Sequence, residues 1–577
     1  MAKKIFKTMD GNEAAAYIAY AFTELASIFP ITPSSPMAEH VDEWAAHGRK
    51  NLFGTTVQVQ EMQSEKGAAG AMHGALNTGA LTTTFTSSQG MMIMLSNMFK
   101  ISSELLPGVF HVASRTVATN GYTIFAGHDD AMAMRGTGIS MMCESSVQEI
   151  MDLAAVVHAT AISCRIPIIN FFDGFRTSHE IQKIKMLPAE ELGKLIDRDA
   201  LYHFKHTGLN PEHPVMRSTV TNPDMFFQSR EANNPWYQRL PYIVQDYMDK
   251  ISELTGRPYH LFDYYGAPDA EHVVIAMGSV TGAIQETIDK LCKEGKKVGF
   301  IQVHLYRPFS LEHFMKAMPD TVRTITVMDR TKEPGALGEP LYEDVCAAMS
   351  HVKQDVTVLA CRYGLSSKDV PPASINAVFT NMDSLQPKNH FTLGIIDDVT
   401  HHSLADVPIT VDTEGTISCK FWGFGSDGTV GANKNSIKII GDNTDMYVQA
   451  YFEYDTKKSG GVTKSHLRFG KNPIRATYYI KSADFLACHK QAYMGTYDIV
   501  SEIKDGGIFL LNCSWDKDDV ANHLSNKVKR QLASKHVRFY IINATKIAEE
   551  IGLGSNRTNT VLQAAFFKLA NILPIDD

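Results

Sequence analysis

Three times along this chain, short apolar runs of strand character alternate with longer stretches of helical period. In the first block the runs are "ALTTTFTS" (Ala80 to Ser87), "GVFHVAS" (Gly108 to Ser114) and "IPIINFFDG" (Ile166 to Gly174). The clearest helical stretch among them is "SVQEIMDLAAVVHATAIS", which follows Ser145, a suitable N-cap. Strand–helix alternation of this kind predicts mostly parallel sheets with helices on both faces. A polar, proline-bearing stretch from about Leu209 to Pro241 ends the block. The second block begins near Gly256 and runs through "HVVIAMGS" and "VTGAIQETIDKLCKEGKK"; the third begins near Glu414 with "ISCKFWGFGSDGTVGANKNSIKIIG". A chain of 577 residues is too long for one core, and we expect three consecutive α/β domains, at 1–255, 256–413 and 414–577. No repeat of solenoid period is visible. The third domain stops at "LANILPIDD", directly after an apolar helical segment, and reads as interrupted.

A net charge of −8 with no long basic run gives no electrostatic reason to expect nucleic acid. The early lysines precede no continuous apolar core of signal-peptide type, and no apolar run approaches membrane-spanning length. The eight cysteines stand at least fifteen positions apart, so C-x-x-C spacing for a metal or cluster is absent and reduced, mostly buried thiols are expected. These features describe a soluble cytoplasmic protein with no metal site, no nucleic acid and no membrane among its partners.

Several short stretches carry possible chemistry. In "VQEMQSEKGAAGAMHGALNTGA" (Val59 to Ala80), Glu65 stands just before a run of glycine and alanine. Such a helix gains little from packing unless another backbone or a flat ligand comes very close. The plainer reading is an alanine-rich helix with an acidic first turn. "IFPITPSSPMAEH" is either a helix start, capped by Ser34 or Ser35 with Pro36 first, or a rigid ledge presenting Thr32 to a small anion. Arg115, in "HVASRT", ends an apolar strand, where ligands of open sheets gather; it either grips a carboxylate or makes a surface salt bridge. His128, Asp129, Asp130 and Arg135 lie in a glycine-rich loop that is either an active-site wall or a solvated connection. "GFGSDGTVGANK" has the form of a phosphate-cradling turn, weak evidence when taken alone. Its spacing from Asp427 to Asn433 is too short for the metal and diphosphate motif of thiamine enzymes. Lys457 and Lys458, beside a Ser-Gly-Gly turn, are a second candidate for phosphate contact.

Taken together, "FPITPSSPMAE", "QEMQSEKGAAGAMHGAL", "TTFTSSQG", "HVASRTVA" and "GFGSDGTVGANKNSIKIIG" resemble pyruvate:ferredoxin (flavodoxin) oxidoreductases, within the 2-oxo acid:ferredoxin oxidoreductase family. The motifs occur in family order from end to end, and the resemblance covers the amino-terminal part of the family's longer single-chain form. It implies two doubly wound domains, one binding the pyrimidine of thiamine diphosphate and one like the carboxyl-terminal domain of transketolase. The third would be a coenzyme A-binding, gamma-type domain, truncated here. Mg2+ at the diphosphate and 4Fe-4S clusters would belong to the missing half. The implied partners are the remaining domains or subunit, ferredoxin or flavodoxin, and a second copy in a homodimer. The implied reaction converts pyruvate and coenzyme A to acetyl-CoA and CO2, and this chain alone should not turn over.

By the same resemblance, Glu65 matches the glutamate that hydrogen-bonds the aminopyrimidine nitrogen; a poorly hydrated pocket lets a carboxyl group hold and share a proton there. Thr32 and Arg115 match the residues that fix the carboxylate and ketone of the substrate. Ser426, Asp427, Gly428, Thr429 and Val430, with Lys458 and Asn559, fall on the coenzyme A side. Two other readings stand beside this one. One is a thiamine enzyme acting on another substrate or without electron transfer, and the other is a non-catalytic coenzyme A-binding fragment.

Overall fold

The computed structural model describes residues 6–212, 214–217, 219–352, 355–455, 460–554 and 557–573. Their strands form three sheets in a mixed α/β architecture. Asp10–Ser178 and Met186–Asp412 make one compact unit, and the described parts of Met1–Met9, His179–Lys185 and Thr413–Asp577 make another.

The larger unit holds two of the sheets. In the first the order is Leu305–Arg307, Ser140–Glu144, Ile168–Asp173, Val109–Ser114, Thr82–Thr86, Leu25–Ile28, Gln58–Glu61. Every pair is parallel except Leu305–Arg307 against Ser140–Glu144. Thr82–Thr86, Val109–Ser114 and Ile168–Asp173 are buried at every position, as parallel strands covered on both faces must be. The second sheet runs Phe391–Thr392, Thr357–Arg362, Thr324–Asp329, His272–Ala276, Val298–Val303, Phe262–Gly266, parallel except at its last pair.

The long helix of the first block spans Val147–Cys164, and its cap is Ser146, one residue later than expected. Ser146 Oγ accepts from the Glu149 N–H at 3.2 Å while Glu149 Oε2 accepts from the Ser145 N–H, one residue before the cap, at 2.7 Å, and these two bonds select the register. This helix also corrects the expectation about apolar length: by length and composition it could cross a membrane. Here nearly all of its residues are buried, and it packs on the helices Gly11–Phe22 and Asn234–Thr255. Its apolar character belongs to the core of the unit.

The smaller unit is built on an eight-stranded mixed sheet, in which Thr416–Phe424, Ala483–Cys488, Ile503–Asn512 and Arg538–Ile542 are parallel neighbours. The alternation of its strands feeds two cores. Phe421, Phe485 and Ile508 join Ile437 and Phe566 on one face, while Trp422, Leu486 and Phe509 face the other way. Three strands lie in a sheet other than that of the block in which the sequence places them. Phe6–Asp10 and Ile181–Lys185 belong to this eight-stranded sheet, and Leu305–Arg307 lies in the first sheet.

Candidate active site

The first sheet has a crevice of known type. From Leu25–Ile28 the chain passes through the helix Ser35–Ala46 to the edge strand Gln58–Glu61, then returns through the helix Glu65–Asn77 to Thr82–Thr86 on the opposite side of Leu25–Ile28. Connections leave the two central strands in opposite directions, which opens a crevice at their carboxyl ends. Thr32, Glu65 and Arg115 all follow carboxyl ends of strands at or next to that point.

Glu65 is the first residue of its helix, behind Ser64, whose hydroxyl accepts from the Gly67 N–H at 3.2 Å. It is 7 % exposed, and among the described residues its carboxylate accepts no hydrogen bond. What it lies against is Gly90, in the first turn of the helix Ser88–Ser103. A Cβ at Gly90 would fall 2.9 Å from Glu65 Cγ and 2.5 Å from Thr86 Oγ1, so any larger residue would displace both. Thr86 Oγ1 is itself buried without a partner among the described residues. Glu65 is thus a nearly buried acid without a donor among the described residues, seated where only glycine leaves room for its side chain.

The structure brings Thr32 and Arg115 together directly. Arg115 is buried, and its Nη1 donates to the Thr32 carbonyl at 2.7 Å, Nε to the Thr123 carbonyl at 3.3 Å and Nη2 to the Tyr122 hydroxyl at 2.9 Å. Thr32 itself is exposed. Its loop is held by Asn12, which donates to the Pro33 carbonyl at 3.0 Å, and by Gly174, where a Cβ would meet Pro33 at 2.7 Å.

Asp130 links this pair to the Glu65 side of the crevice. It is fully buried and accepts from the Ser114 hydroxyl and from the backbone N–H groups of Ser88, Arg115 and Ala131. Burial pushes its carboxyl up to about 6 against the pull of those four bonds. Its role is to hold the ends of two strands in register. Of the other polar residues of this loop, Asp129 and Arg135 tie it to the second sheet, and the His128 ring bonds within the first. His128 donates to Asp173 at 2.7 Å, Asp129 accepts from Thr331 at 2.6 Å, and Arg135 pairs with Glu333 at 3.0 Å.

In the smaller unit, the strand Thr416–Phe424 turns into the helix Thr429–Asn443 through Ser426 and Gly428, both at positive φ, 76° and 82°. Asp427 closes this turn on itself, accepting from the N–H groups of Phe424 and Thr429, each at 2.8 Å. That leaves the N–H groups of Val430 and Gly431 at the helix start, which have no intrahelical partner by geometry. Asn559 begins the helix Asn559–Ala570, and its Nδ2 lies 2.8 Å from where a Gly428 Cβ would stand. Thr429 Oγ1 and His489 Nδ1 are hydrogen-bonded at 2.7 Å. The structure therefore joins Ser426, Asp427, Gly428, Thr429, Val430 and Asn559 in one place. Lys458 lies outside the described residues.

Gly90, Tyr122 and His489 were not found from the sequence. "TTFTSSQG" contains Gly90, but nothing local shows that a glutamate far away in the chain lies against it.

An acid, a hydroxyl-bearing loop and a buried guanidinium around a strand-end crevice define a ligand-binding α/β protein of the open-sheet class. Within that class, the chain belongs to the pyruvate:ferredoxin/flavodoxin oxidoreductase family. The family model "Pyruvate flavodoxin/ferredoxin oxidoreductase, thiamine diP-bdg" matches residues 17–249. "Pyruvate:ferredoxin oxidoreductase core domain II" matches 270–375, and "Pyruvate ferredoxin/flavodoxin oxidoreductase" matches 418–577. The chain is 58% identical to the pyruvate-flavodoxin oxidoreductase of Enterobacter agglomerans over 99% of its own length and 49% of the relative's. It is 57% identical to the pyruvate:ferredoxin oxidoreductase of Moorella thermoacetica, with the same shares. The chain thus spans about half the length of the curated relatives it matches. Among solved structures, a 2-oxoglutarate:ferredoxin oxidoreductase from Magnetococcus marinus is 16% identical over 65% of each chain, with a TM-score of 0.48.

Proposed function

We propose that this chain is one part of an enzyme that oxidatively decarboxylates a 2-oxo acid, pyruvate first. The acyl group would pass to coenzyme A and two electrons to ferredoxin or flavodoxin. The observation that carries this reading is Glu65, an almost buried carboxylate that accepts no hydrogen bond among the described residues and is packed so closely on Gly90 that a Cβ there would collide with it. A carboxylate with no donor of its own among the described residues fits the pyrimidine of thiamine diphosphate, whose ring nitrogen Glu65 would hold. Held there, thiamine diphosphate would supply the electron sink that decarboxylation needs.

The chain's own residues account for the rest. Glu65 fixes the position and protonation of the pyrimidine. Arg115 presents charged N–H donors to the substrate carboxylate, and the Thr32 hydroxyl stands beside it for the ketone oxygen. Asp130 keeps Arg115 aligned through its backbone N–H. The 426–430 turn, with Asn559 and Lys458, would take the phosphates of coenzyme A on helix N–H groups. On this reading residues 1–255 are pyrimidine-binding, 256–413 resemble the carboxyl-terminal domain of transketolase, and 414–577 bind coenzyme A. The remaining domains would bring Mg2+, 4Fe-4S clusters and the second subunit of a cytoplasmic homodimer.

The test is Glu65→Gln in the full-length enzyme. CO2 release from pyruvate should nearly vanish while coenzyme A binding, measured by calorimetry, stays intact. Turnover like that of the wild type in this variant would sink the proposal.

A further inference from the structure

Arg115 has five N–H groups, and among the described residues three acceptors surround it. Two are backbone carbonyls, of Thr32 and Thr123. The third is the hydroxyl of Tyr122, at 2.9 Å, with its ring over the guanidinium at 5.2 Å. Tyr122 is 69 % exposed, so burial of its ring does not explain the placement.

The strap that carries it is fastened on both sides. The Thr116 N–H donates to the Phe125 carbonyl at 3.2 Å, Thr123 Oγ1 meets Ser366 Oγ at 2.7 Å, and Ser367 Oγ accepts from the Ala126 N–H at 3.0 Å. Tyr122 therefore stands over Arg115 at the apex of an anchored loop. A hydroxyl that accepts from a guanidinium keeps its own O–H to donate. That O–H lies beside the remaining guanidinium N–H groups, and adjacent donors are what the two oxygens of a carboxylate require.

We propose that Tyr122 is a second carboxylate-binding residue: its O–H takes one oxygen of the 2-oxo acid's carboxylate while Arg115 takes the other. This rests on the reading of Arg115 given above. It makes Tyr122 a determinant of substrate affinity, acting equally in the ground and transition states.

The experiment is steady-state CO2 release from pyruvate by the full-length enzyme containing this chain, as wild type, Tyr122→Phe and Arg115→Ala. Tyr122→Phe keeps the ring and removes only an exposed hydroxyl, so folding is not at stake. The pyruvate KM should rise about tenfold, the loss of one hydrogen bond to a charged group, with kcat within about twofold and the coenzyme A KM unchanged. A pyruvate KM that is unchanged or lower in Tyr122→Phe overturns the inference; a lower one would mean that the hydroxyl competes with the substrate for Arg115. A parallel rise in the coenzyme A KM also overturns it, since the damage would then be general. Should Arg115→Ala leave the pyruvate KM unchanged, the reading of Arg115 falls and the inference with it. Should Arg115→Ala raise that KM while Tyr122→Phe does not, the inference falls alone.

Discussion

At the scale of the residue, the glycines around Glu65 divide into two kinds. A Cβ at Gly67 would meet nothing nearer than 3.5 Å, one at Gly70 nothing nearer than 3.9 Å, and one at Gly74 nothing within 4 Å. Close approach within this chain therefore does not explain the small run; it is Gly90, on the neighbouring helix, that cannot change. Gly90→Ala should lower pyruvate decarboxylation by about 10²-fold in the full-length enzyme, the effect of displacing a catalytic group by about an ångström. Gly74→Ala should instead leave decarboxylation unchanged and stabilise the helix by roughly 0.5–1 kcal/mol, read as a higher unfolding temperature. A large loss of activity in Gly74→Ala would show that something outside this chain packs on that face. Asp130 gives a pH signature. Its carboxyl titrates near 6 in the fold and near 3.8 in the unfolded chain, so its stabilising contribution is full below about pH 4 and is lost as pH rises through 6. The destabilisation caused by Asp130→Asn, measured by urea unfolding, should therefore shrink between pH 4 and 7, by up to about 3 kcal/mol.

At the scale of the element, the turn before the Thr429–Asn443 helix is the most demanding piece of backbone in the smaller unit. Gly428 needs φ of 82°, and its missing side chain is the place where Asn559 rests. An alanine there would pay about 1–2 kcal/mol for the left-handed backbone and push Asn559 away. Gly428→Ala should weaken coenzyme A binding by about tenfold or more in calorimetry, with the pyruvate KM unaffected. Undiminished coenzyme A affinity would place that ligand elsewhere. The turn's glycines were legible in "GFGSDGTVGANK" because a tight turn is a local event. Asn559 came only through family resemblance, since its helix lies more than a hundred residues further along the chain.

At the scale of the whole molecule, the two sheets of the larger unit are joined by buried charge. Asp173, at the carboxyl end of a strand in the first sheet, accepts from Arg330, which follows a strand of the second, and from His128. Burial works against ionisation of Asp173, but Arg330 and His128 outweigh it and hold the carboxyl well below the usual range. Removing one partner of such a pair leaves the other charge buried and costs about 3–5 kcal/mol. Arg330→Ala should destabilise the protein by that amount in denaturant, and adding Asp173→Asn should recover part of it. Equal losses in the single and double variants would mean that Arg330 contributes packing alone.

The sequence by itself determined what is local. Apolar runs and helical periods set the α/β class, turn glycines set the phosphate-like loop, and contiguous motifs pointed to Glu65, Thr32 and Arg115. Tertiary structure alone decided that Phe6–Asp10 and Ile181–Lys185 pair in the eight-stranded sheet and that Leu305–Arg307 pairs in the first. It also decided that Gly90 faces Glu65, that Asp130 ties Ser88 to Arg115, and that Tyr122 covers the guanidinium. The physical reason is the same in each case. Strand pairing and side-chain contact depend on where chain segments meet in space, and a pattern of period two or 3.6 records only which face of an element is buried.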